Sequence, residues 1–310
     1  MVGSGVARPV DLPMSVYWIE PPYRGLEPVR VLSASAGAFK RNAIVALGVD
    51  EPERDVPLLA ECVRVVRAML PWCPLALRVE AASAREILQV ARVAAYLRVR
   101  CVIVGDEDVE WALRWQLTEP EYLPGDIVAW LRLLGAGSDF VTLIIERIFA
   151  GTFRRRMLGE ILGEAGFGSE SKVEKRFREE RLPPPRAWQH LAAATFTALR
   201  VQRAPQCSLE KQALELGYSE RSAVIRQLRA VFGAAPWAVR RTIGWEPWVR
   251  RWLERRMRAG YFPGLELSEK TIGGRSGPLT ASGHPPYTTD MTSDVQRTRR
   301  TPRARPRGRT

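Results

Sequence analysis

The sequence predicts a multidomain protein in which a small α/β domain with a parallel sheet precedes an all-α domain and a basic tail. Strand-like and helix-like segments alternate between residues 42 and 117. From residue 139 to 258 only helical patterns occur, separated by glycine and proline breaks. Beyond residue 260 the composition shifts to Gly, Ser, Thr, Pro and Arg. Such composition lacks the apolar content that offsets the entropy of ordering, so we expect residues 265–310 to be disordered.

The alternation in the first half predicts parallel strands joined by right-handed crossovers. Short apolar runs indicate buried strands, and apolar residues at three- and four-residue spacing indicate amphipathic helices. A capping box of Ser83 and Glu86 marks one helix start. The predicted strands are Asn42–Val49, Leu75–Val79 and Arg100–Val104, with helices over Val56–Leu70, 84–97 and Glu107–Leu117. One further strand-like stretch, Pro28–Ala34, lies in an N-terminal extension over residues 1–40.

This pattern loosely resembles a degenerate receiver domain over residues 41–135. In that family an aspartate ends the central strand, whereas here Leu47–Val49 occupy its place and Asp50 follows late. Glu80 stands where the family has Ser or Thr, and no lysine follows the third strand. We further expect the first strand to be missing or vestigial. The resemblance therefore implies a dimerisation or regulatory scaffold without phosphorylation at Asp50.

Charge is distributed unevenly along the chain. Residues 1–138 carry 15 Lys and Arg against 17 Asp and Glu, whereas residues 139–260 carry 23 against 13. Residues 261–310 carry 9 against 4, within a net charge of +13 for the chain. A basic second half indicates a polyanionic partner for that half. A solvated basic surface without a partner is the alternative that charge alone leaves open.

Several other classes of function are disfavoured by what the sequence lacks. No apolar run approaches the ~20 residues of a membrane helix, and no signal pattern begins the chain, so we expect a cytoplasmic protein without a membrane partner. The four cysteines form no C-x-x-C pair, which predicts no metal site. No glycine-rich phosphate loop follows a strand, so we expect no nucleotide or other cofactor and no enzymatic activity.

A helix, a sharp turn and a second helix are predicted between residues 208 and 233. Ser208 is expected to cap a helix over Leu209–Leu216, and Gly217 supplies the positive φ that ends it. Ser219 is expected to cap the second helix, Glu220–Val231, whose Val224, Leu228 and Val231 bury one side. This layout is typical of a helix-turn-helix, in which the second helix enters the DNA major groove. The opposite face carries the candidate DNA-binding residues Arg221, Ser222, Ile225, Arg226 and Arg229.

The same stretch resembles the AraC/XylS family of transcription regulators. The resemblance rests on Ala213, Gly217-Tyr218, Ser222, Arg226, Phe232-Gly233 and Pro236 at the family's spacing. Val224 and Leu228 replace the usual phenylalanines, which keeps the apolar face at smaller volume. Gln212 replaces the usual isoleucine, and we expect it to place a polar group at the rim of the core. The resemblance implies a DNA-binding domain over residues 139–258 with two helix-turn-helix units.

A second, upstream unit has the same order of features. Gly166-Phe167 supplies the turn, Ser169 the cap, and Val173 and Phe177 the buried face. Residues 186–201 suit the helix that links two units in the family. The candidate DNA-binding residues of this unit are Ser171, Lys172, Lys175 and Arg178. Glu170 and Glu174 would also face DNA, so we expect this unit to bind more weakly. An ordinary small helical bundle is the alternative for the whole region.

The predicted partner is double-stranded DNA, with RNA polymerase and a homodimer through the α/β domain as further expectations. Trp237, Trp245, Trp248 and Trp252 lie among arginines, and we interpret them as core residues. One alternative is a non-specific nucleic-acid binder that uses the seven arginines between Arg297 and Arg309. Another is a nucleic-acid-associated enzyme. Its metal ligands would be Asp106, Glu107, Asp108 and Glu110.

Overall fold

A computed structural model describes residues 15–21, 23, 43–80, 83–105, 108–154 and 156–256. The strand expected at Pro28–Ala34 and the tail expected at 265–310 lie outside these residues. The described part begins with a small parallel sheet and continues as a helical region. No described helix combines the length and the apolar character needed to span a membrane.

The sheet contains four described strands in sequential order, all parallel. They are β1 (Ser15–Ile19), β2 (Ala43–Val49), β3 (Leu75–Val79) and β4 (Cys101–Val104). The last three confirm the predicted strands to within one residue at each end. The expectation that the first strand is missing or vestigial was wrong, because all five residues of Ser15–Ile19 pair in register with Ala43–Leu47. Its five residues follow a Gly- and Pro-rich stretch, which hid them in the sequence.

Alternate residues of each strand supply two separate cores. Val45, Leu47 and Val49 lie in the core with the first two helices, α1 (Pro52–Met69) and α2 (Ala84–Tyr96). Ile44 and Ala46 lie in the opposite core with α3 (Val109–Leu117). The side-chain period of two thus requires cover on both faces of the sheet. The predicted capping box is confirmed: Glu86 accepts from the Ser83 backbone, and the Ser83 hydroxyl accepts from the Glu86 N–H.

Nine described helices follow α3. They are α4 (Leu123–Leu133), α5 (Asp139–Phe153), α6 (Leu158–Glu164), α7 (Glu170–Glu179), α8 (Pro185–Arg203), α9 (Leu209–Glu215), α10 (Arg221–Phe232), α11 (Pro236–Arg240) and α12 (Glu246–Arg256). They share one core, in which Trp188 of α8 is fully buried. The sequence did not predict α4, whose residues Leu123, Ile127 and Trp130 belong to this core. Ser138 caps the helix α5, because its hydroxyl accepts from the Val141 N–H at 3.4 Å.

The helical region repeats itself at a spacing of 51 residues. The helices α6 and α9 begin at Leu158 and Leu209, α7 and α10 at Glu170 and Arg221, and α8 and α11 at Pro185 and Pro236. We call α6–α7 the first unit and α9–α10 the second unit. Because α8 follows the first unit and precedes the second, it belongs to both copies of the repeat. Each residue of the first unit is therefore equivalent to the residue 51 positions later, in the second unit.

Buried charges join the sheet to the helical region. The Arg100 guanidinium, at the start of β4, forms an ion pair with Asp126 of α4 at 3.1 Å and another with Glu246 of α12. All three side chains are at most 12% exposed. Nearby, Trp130 and Trp245 pack edge to face at 5.5 Å, and Ile243 enters the core beneath the sheet. Buried contacts between residues far apart in sequence, such as Arg100 and Glu246, therefore join the sheet to the helices.

Candidate nucleic-acid interface

The helix α10 divides into a buried side and an exposed side. Val224 and Leu228 are fully buried and Val231 is 9% exposed, as predicted, and Phe232 is also fully buried. Gly233 adopts φ +61° and ends the helix in the left-handed conformation. Within the described residues, the opposite side of α10 carries its exposed side chains.

The turn before α10 is held by a hydrogen-bonded network. Gly217 has φ +79°, a conformation that favours glycine. The next residue, Tyr218, donates its hydroxyl to Oε1 of Gln227 on α10 at 2.6 Å and lies 3.0 Å from the Thr197 hydroxyl of α8. The Thr197 hydroxyl also contacts the same Gln227 oxygen at 2.9 Å. One aromatic side chain therefore fixes α10 against α8.

Three arginines lie on the exposed side of α10, and half-buried Ser222 and Ile225 lie between them. Arg226 is 72% exposed and forms an ion pair with Glu220 at 3.3 Å. Its guanidinium also donates to the Ser222 hydroxyl at 3.2 Å, and Ser222 donates to Glu220. The hydrogen bond from Ser222, together with the nearby Arg226, lowers the pKa of Glu220. Within the described residues, Arg221 and Arg229 are exposed and have no ion pair.

The end of α10 is capped by arginines of α12. Arg251 donates to the Gly233 carbonyl at 3.1 Å, and Arg255 donates to the Val231 carbonyl at 3.2 Å. Cations at this position neutralise the partial negative charge at a helix C-terminus. These two arginines therefore hold α10 in place. The charge pattern alone could not distinguish this structural role from phosphate binding.

The tryptophans expected in the core separate into two groups. Trp245, Trp248 and Trp252 are at most 4% exposed, which confirms their assignment to the core. The assignment of Trp237 to the core was wrong, since 64% of it is exposed and its ring centroid lies 5.5 Å from the Arg241 guanidinium carbon.

The first unit presents a mixed surface. Ser171, Lys172, Lys175 and Arg178 are exposed on α7, whereas Val173 and Phe177 are buried. The turn contains Gly166 at φ +70°, and Phe167 packs edge to face on Phe140 at 5.5 Å. The half-buried Glu170, expected to face DNA, accepts from Arg186 of α8 at 2.8 Å. This ion pair reduces the negative charge at the start of α7.

Arg186 and Trp237 were not assigned to this surface from the sequence. Arg186 and Trp237 occupy equivalent positions of the repeat, each just after the proline that begins the following helix. Arg186 donates to Glu170 at the start of α7, and Trp237 is exposed five residues after the end of α10. The signal that could have found them is the shared Pro185 and Pro236, at which each following helix begins.

Acidic side chains of the sheet region have structural partners. Asp108 accepts from the Trp111 N–H at 3.1 Å and caps α3, while Glu110 forms an ion pair with Arg114. Asp106 and Glu107 lie outside the described residues. Among the residues that the structure describes, no three His, Cys, Asp or Glu side chains are grouped to hold a metal ion. The backbone of Asp50 donates to the buried carboxylate of Asp55, which caps the loop after β2.

The chain was compared with protein-family models, curated proteins and solved structures, and none of them matched.

Proposed function

We propose that this protein is a sequence-specific DNA-binding transcription regulator of the AraC type. In this proposal the first and second units are helix-turn-helix motifs, and α7 and α10 enter the DNA major groove. The repeat supports the proposal, because both units consist of a short helix, a turn with a glycine at positive φ and a second helix with a buried apolar side.

The observation that carries the proposal is the exposed side of α10. Arg221 and Arg229 project there without an ion pair in the described part of the chain, and Arg226 is 72% exposed. A guanidinium forms two hydrogen bonds to the O6 and N7 atoms of guanine, or grips a phosphate. We assign Arg221 and Arg226 to base contacts and Arg229, farther along the helix, to phosphate.

The contact between Arg226 and Glu220 has a consequence for this function. In the free protein the guanidinium is held by an acidic side chain beside it. Binding to a base would replace that ion pair with two hydrogen bonds. At a matching base the hydrogen bonds would compensate for the lost ion pair, whereas at a mismatched base the ion pair would be lost without replacement. We infer that Glu220 makes the second unit selective and does not simply weaken it.

The remaining parts of the chain have roles in the same proposal. The first unit, in which Arg186 offsets Glu170, positions the second unit and adds phosphate contacts through Lys172, Lys175 and Arg178. The α/β region serves regulation or homodimer formation. A bacterial-type regulator of this kind acts in the cytoplasm on the nucleoid, where it recruits or excludes RNA polymerase.

The test is selection of binding sites from random DNA duplexes with the full chain. We expect an enriched motif. Arg221→Ala and Arg226→Ala should each weaken binding to that motif by about 1–3 kcal/mol and relax the preference at one position. Arg64→Ala is the matched control, because this arginine is 70% exposed on α1, away from both units. Fluorescence anisotropy at fixed salt measures each affinity.

Three results would contradict the proposal. Selection without an enriched motif would exclude specific recognition. Loss of binding on deletion of residues 265–310, with no effect of Arg221→Ala and Arg226→Ala, would instead identify a non-specific binder that uses its tail. An activity that depends on Mg²⁺ and is abolished by Asp106→Ala would support the enzymatic alternative.

A further inference from the structure

A groove of about 340 Å³ lies between α5 and the first unit. Its apolar lining includes Leu143 and Ala150 of α5, Ile161 of α6 and Phe167 of the following turn. The guanidinium groups of Arg147 and Arg154 lie along the same groove and are exposed. The lining therefore combines apolar side chains with arginines and one acidic residue, Glu164.

In the second copy of the repeat, residues equivalent to the lining of this groove form hydrogen bonds within the chain. Gln202, equivalent to Gly151 of the first groove, donates to the Thr242 hydroxyl and to the Gly244 carbonyl, both at 3.1 Å. Arg240 of α11 donates to the Cys207 carbonyl at 2.6 Å and to Oε1 of Gln212 at 3.2 Å. Cys207 and Gln212 are equivalent to Arg156 and Ile161, which line the first groove. In the first copy, Gln189, equivalent to Arg240, likewise donates to the Arg156 carbonyl at 3.1 Å. The two copies differ at Gly151, which has no side chain to make the contacts of Gln202.

The exposure of equivalent residues records the same difference. Ala194 and Ala198 of α8 are fully buried. Their equivalents in the first copy are Leu143, which is 39% exposed, and the exposed Arg147. The first copy of the repeat therefore exposes an apolar and a basic side chain at positions that are buried in the second.

The charge and the rim of the groove define what would fit it. Arg147 and Arg154 have no ion pair among the described residues, whereas Arg156 pairs with Glu164. Phe153 and Met157, which are adjacent in sequence to the lining residues Arg154 and Arg156, are 47% and 59% exposed. Contiguous exposed apolar side chains mark interaction sites on soluble proteins, and an amphipathic helix in a groove is a recurrent mode of recognition. The unpaired arginines favour acidic side chains on that helix.

We propose that this groove binds an amphipathic helix of a partner protein. The apolar face of the helix lies on Leu143, Ile161 and Phe167, and its Asp or Glu side chains pair with Arg147 and Arg154. The site goes beyond the proposed DNA binding and does not depend on it, since neither arginine lies on α7 or α10.

The test is selection from a displayed library of helical peptides against the full chain. We expect enriched peptides with Leu or Phe at helical spacing and flanking Asp or Glu. The double variant Arg147→Glu with Arg154→Glu should weaken the binding of a selected peptide at least about tenfold, because it repels the acidic side chains. Ala150→Trp, which fills the groove, should weaken it similarly. Arg85→Glu, an exposed charge reversal on α2, is the matched control and should leave it unchanged.

Other occupants predict different results, each of which would overturn the proposal. If the groove is a DNA surface, the double variant weakens DNA binding and no acidic peptide is enriched. If a second copy of the chain occupies it, the variant abolishes concentration-dependent dimerisation. If the chain's own residues 257–268 occupy it, peptides bind only after truncation at Arg256. Arg221→Ala should reduce DNA binding and leave peptide binding unchanged. This variant therefore separates the proposed DNA binding from the proposed peptide binding.

Discussion

Gln212 is a buried amide in the helical core at a position where the resemblance implied isoleucine. It is only 1% exposed, so it lies deeper than the rim position that we expected. Its Nε2 donates to the Ala204 carbonyl at 2.7 Å, and its Oε1 accepts from Arg240 at 3.2 Å. Both ends of the amide are therefore paired. The side chain holds the loop before α9 against α11, which an isoleucine cannot do.

Removal of this amide should destabilise the protein. Gln212→Ala leaves the Ala204 carbonyl and the Arg240 guanidinium without one of their partners, at a cost of about 1–3 kcal/mol. Urea denaturation followed by circular dichroism measures the change in the free energy of unfolding. Gln206→Ala, at an exposed position in the same loop, should change it by less than about 0.5 kcal/mol. Equal effects of the two variants would show that the amide contacts do not stabilise the fold.

At the scale of single elements, the glycine turns decide where helices end. Gly217 ends the first helix of the second unit at φ +79°, and Gly166 does the same in the first unit at φ +70°. The caps at the other ends were less regular than expected. Ser208 caps α9 as predicted, whereas extended Glu220 at φ −155° occupies the position expected for Ser219 before α10.

Two glycine substitutions should therefore act in opposite directions. Gly217→Ala forces a Cβ into the left-handed region and should cost about 1–2 kcal/mol. Gly159→Ala, within α6, meets no atom within 4 Å and should stabilise by about 0.5–1 kcal/mol, because alanine loses less backbone entropy in a helix. Thermal unfolding of the two variants measures both effects. A stabilising Gly217→Ala would contradict the assigned conformation of the turn.

Local patterns predicted elements well where the determinants are adjacent in sequence. The strands from residue 43 to 104 and the helices of both units follow from hydrophobic period, caps and glycines within about 20 residues. The helix α4 was missed because Pro124 and Gly125 in its first turn resemble a loop. At the candidate site, the exposed arginines of α10 could be placed by helical spacing. The pairing of Glu170 with Arg186 could not, since it depends on how α7 meets α8.

At the scale of the whole molecule, the packing of the sheet against the helices could not be predicted from the sequence. Arg100 and Glu246 are separated by 146 residues, and nothing in either local pattern indicates the partner of the other. Charges are buried at such a junction only when they are paired. The ion pairs of Arg100 with Asp126 and Glu246 thus make the packing of the two regions sensitive to charge.

The stability of this junction should depend on pH through Asp126. Burial raises the pKa of this carboxyl to about 6, although Arg100 opposes the shift and Glu246 adds to it. Between about pH 4 and 6 the folded chain therefore binds a proton that the unfolded chain has released. The stabilisation from protonation is complete below about pH 4 and is lost as the pH rises through 6.

Asp126→Asn removes this titration, so its unfolding free energy should fall less between pH 5 and pH 8 than that of the natural chain. Urea denaturation at a series of pH values measures the two slopes. Asp139→Asn, at a carboxylate that is 91% exposed, is the control and should retain the natural slope. Parallel profiles for Asp126→Asn and the natural chain would show that another group dominates this range.

The helix α8 sets a fixed distance and rotation between the two units. Its 19 residues extend about 28 Å at 1.5 Å per residue, and both units pack against it. Each residue added within α8 would turn the second unit by about 100° relative to the first, whereas a flexible linker would absorb the change. If the units bind DNA as proposed, their spacing is determined by the protein. One inserted base pair between the two contacted segments would then be rejected, because α8 can neither stretch nor twist to follow it.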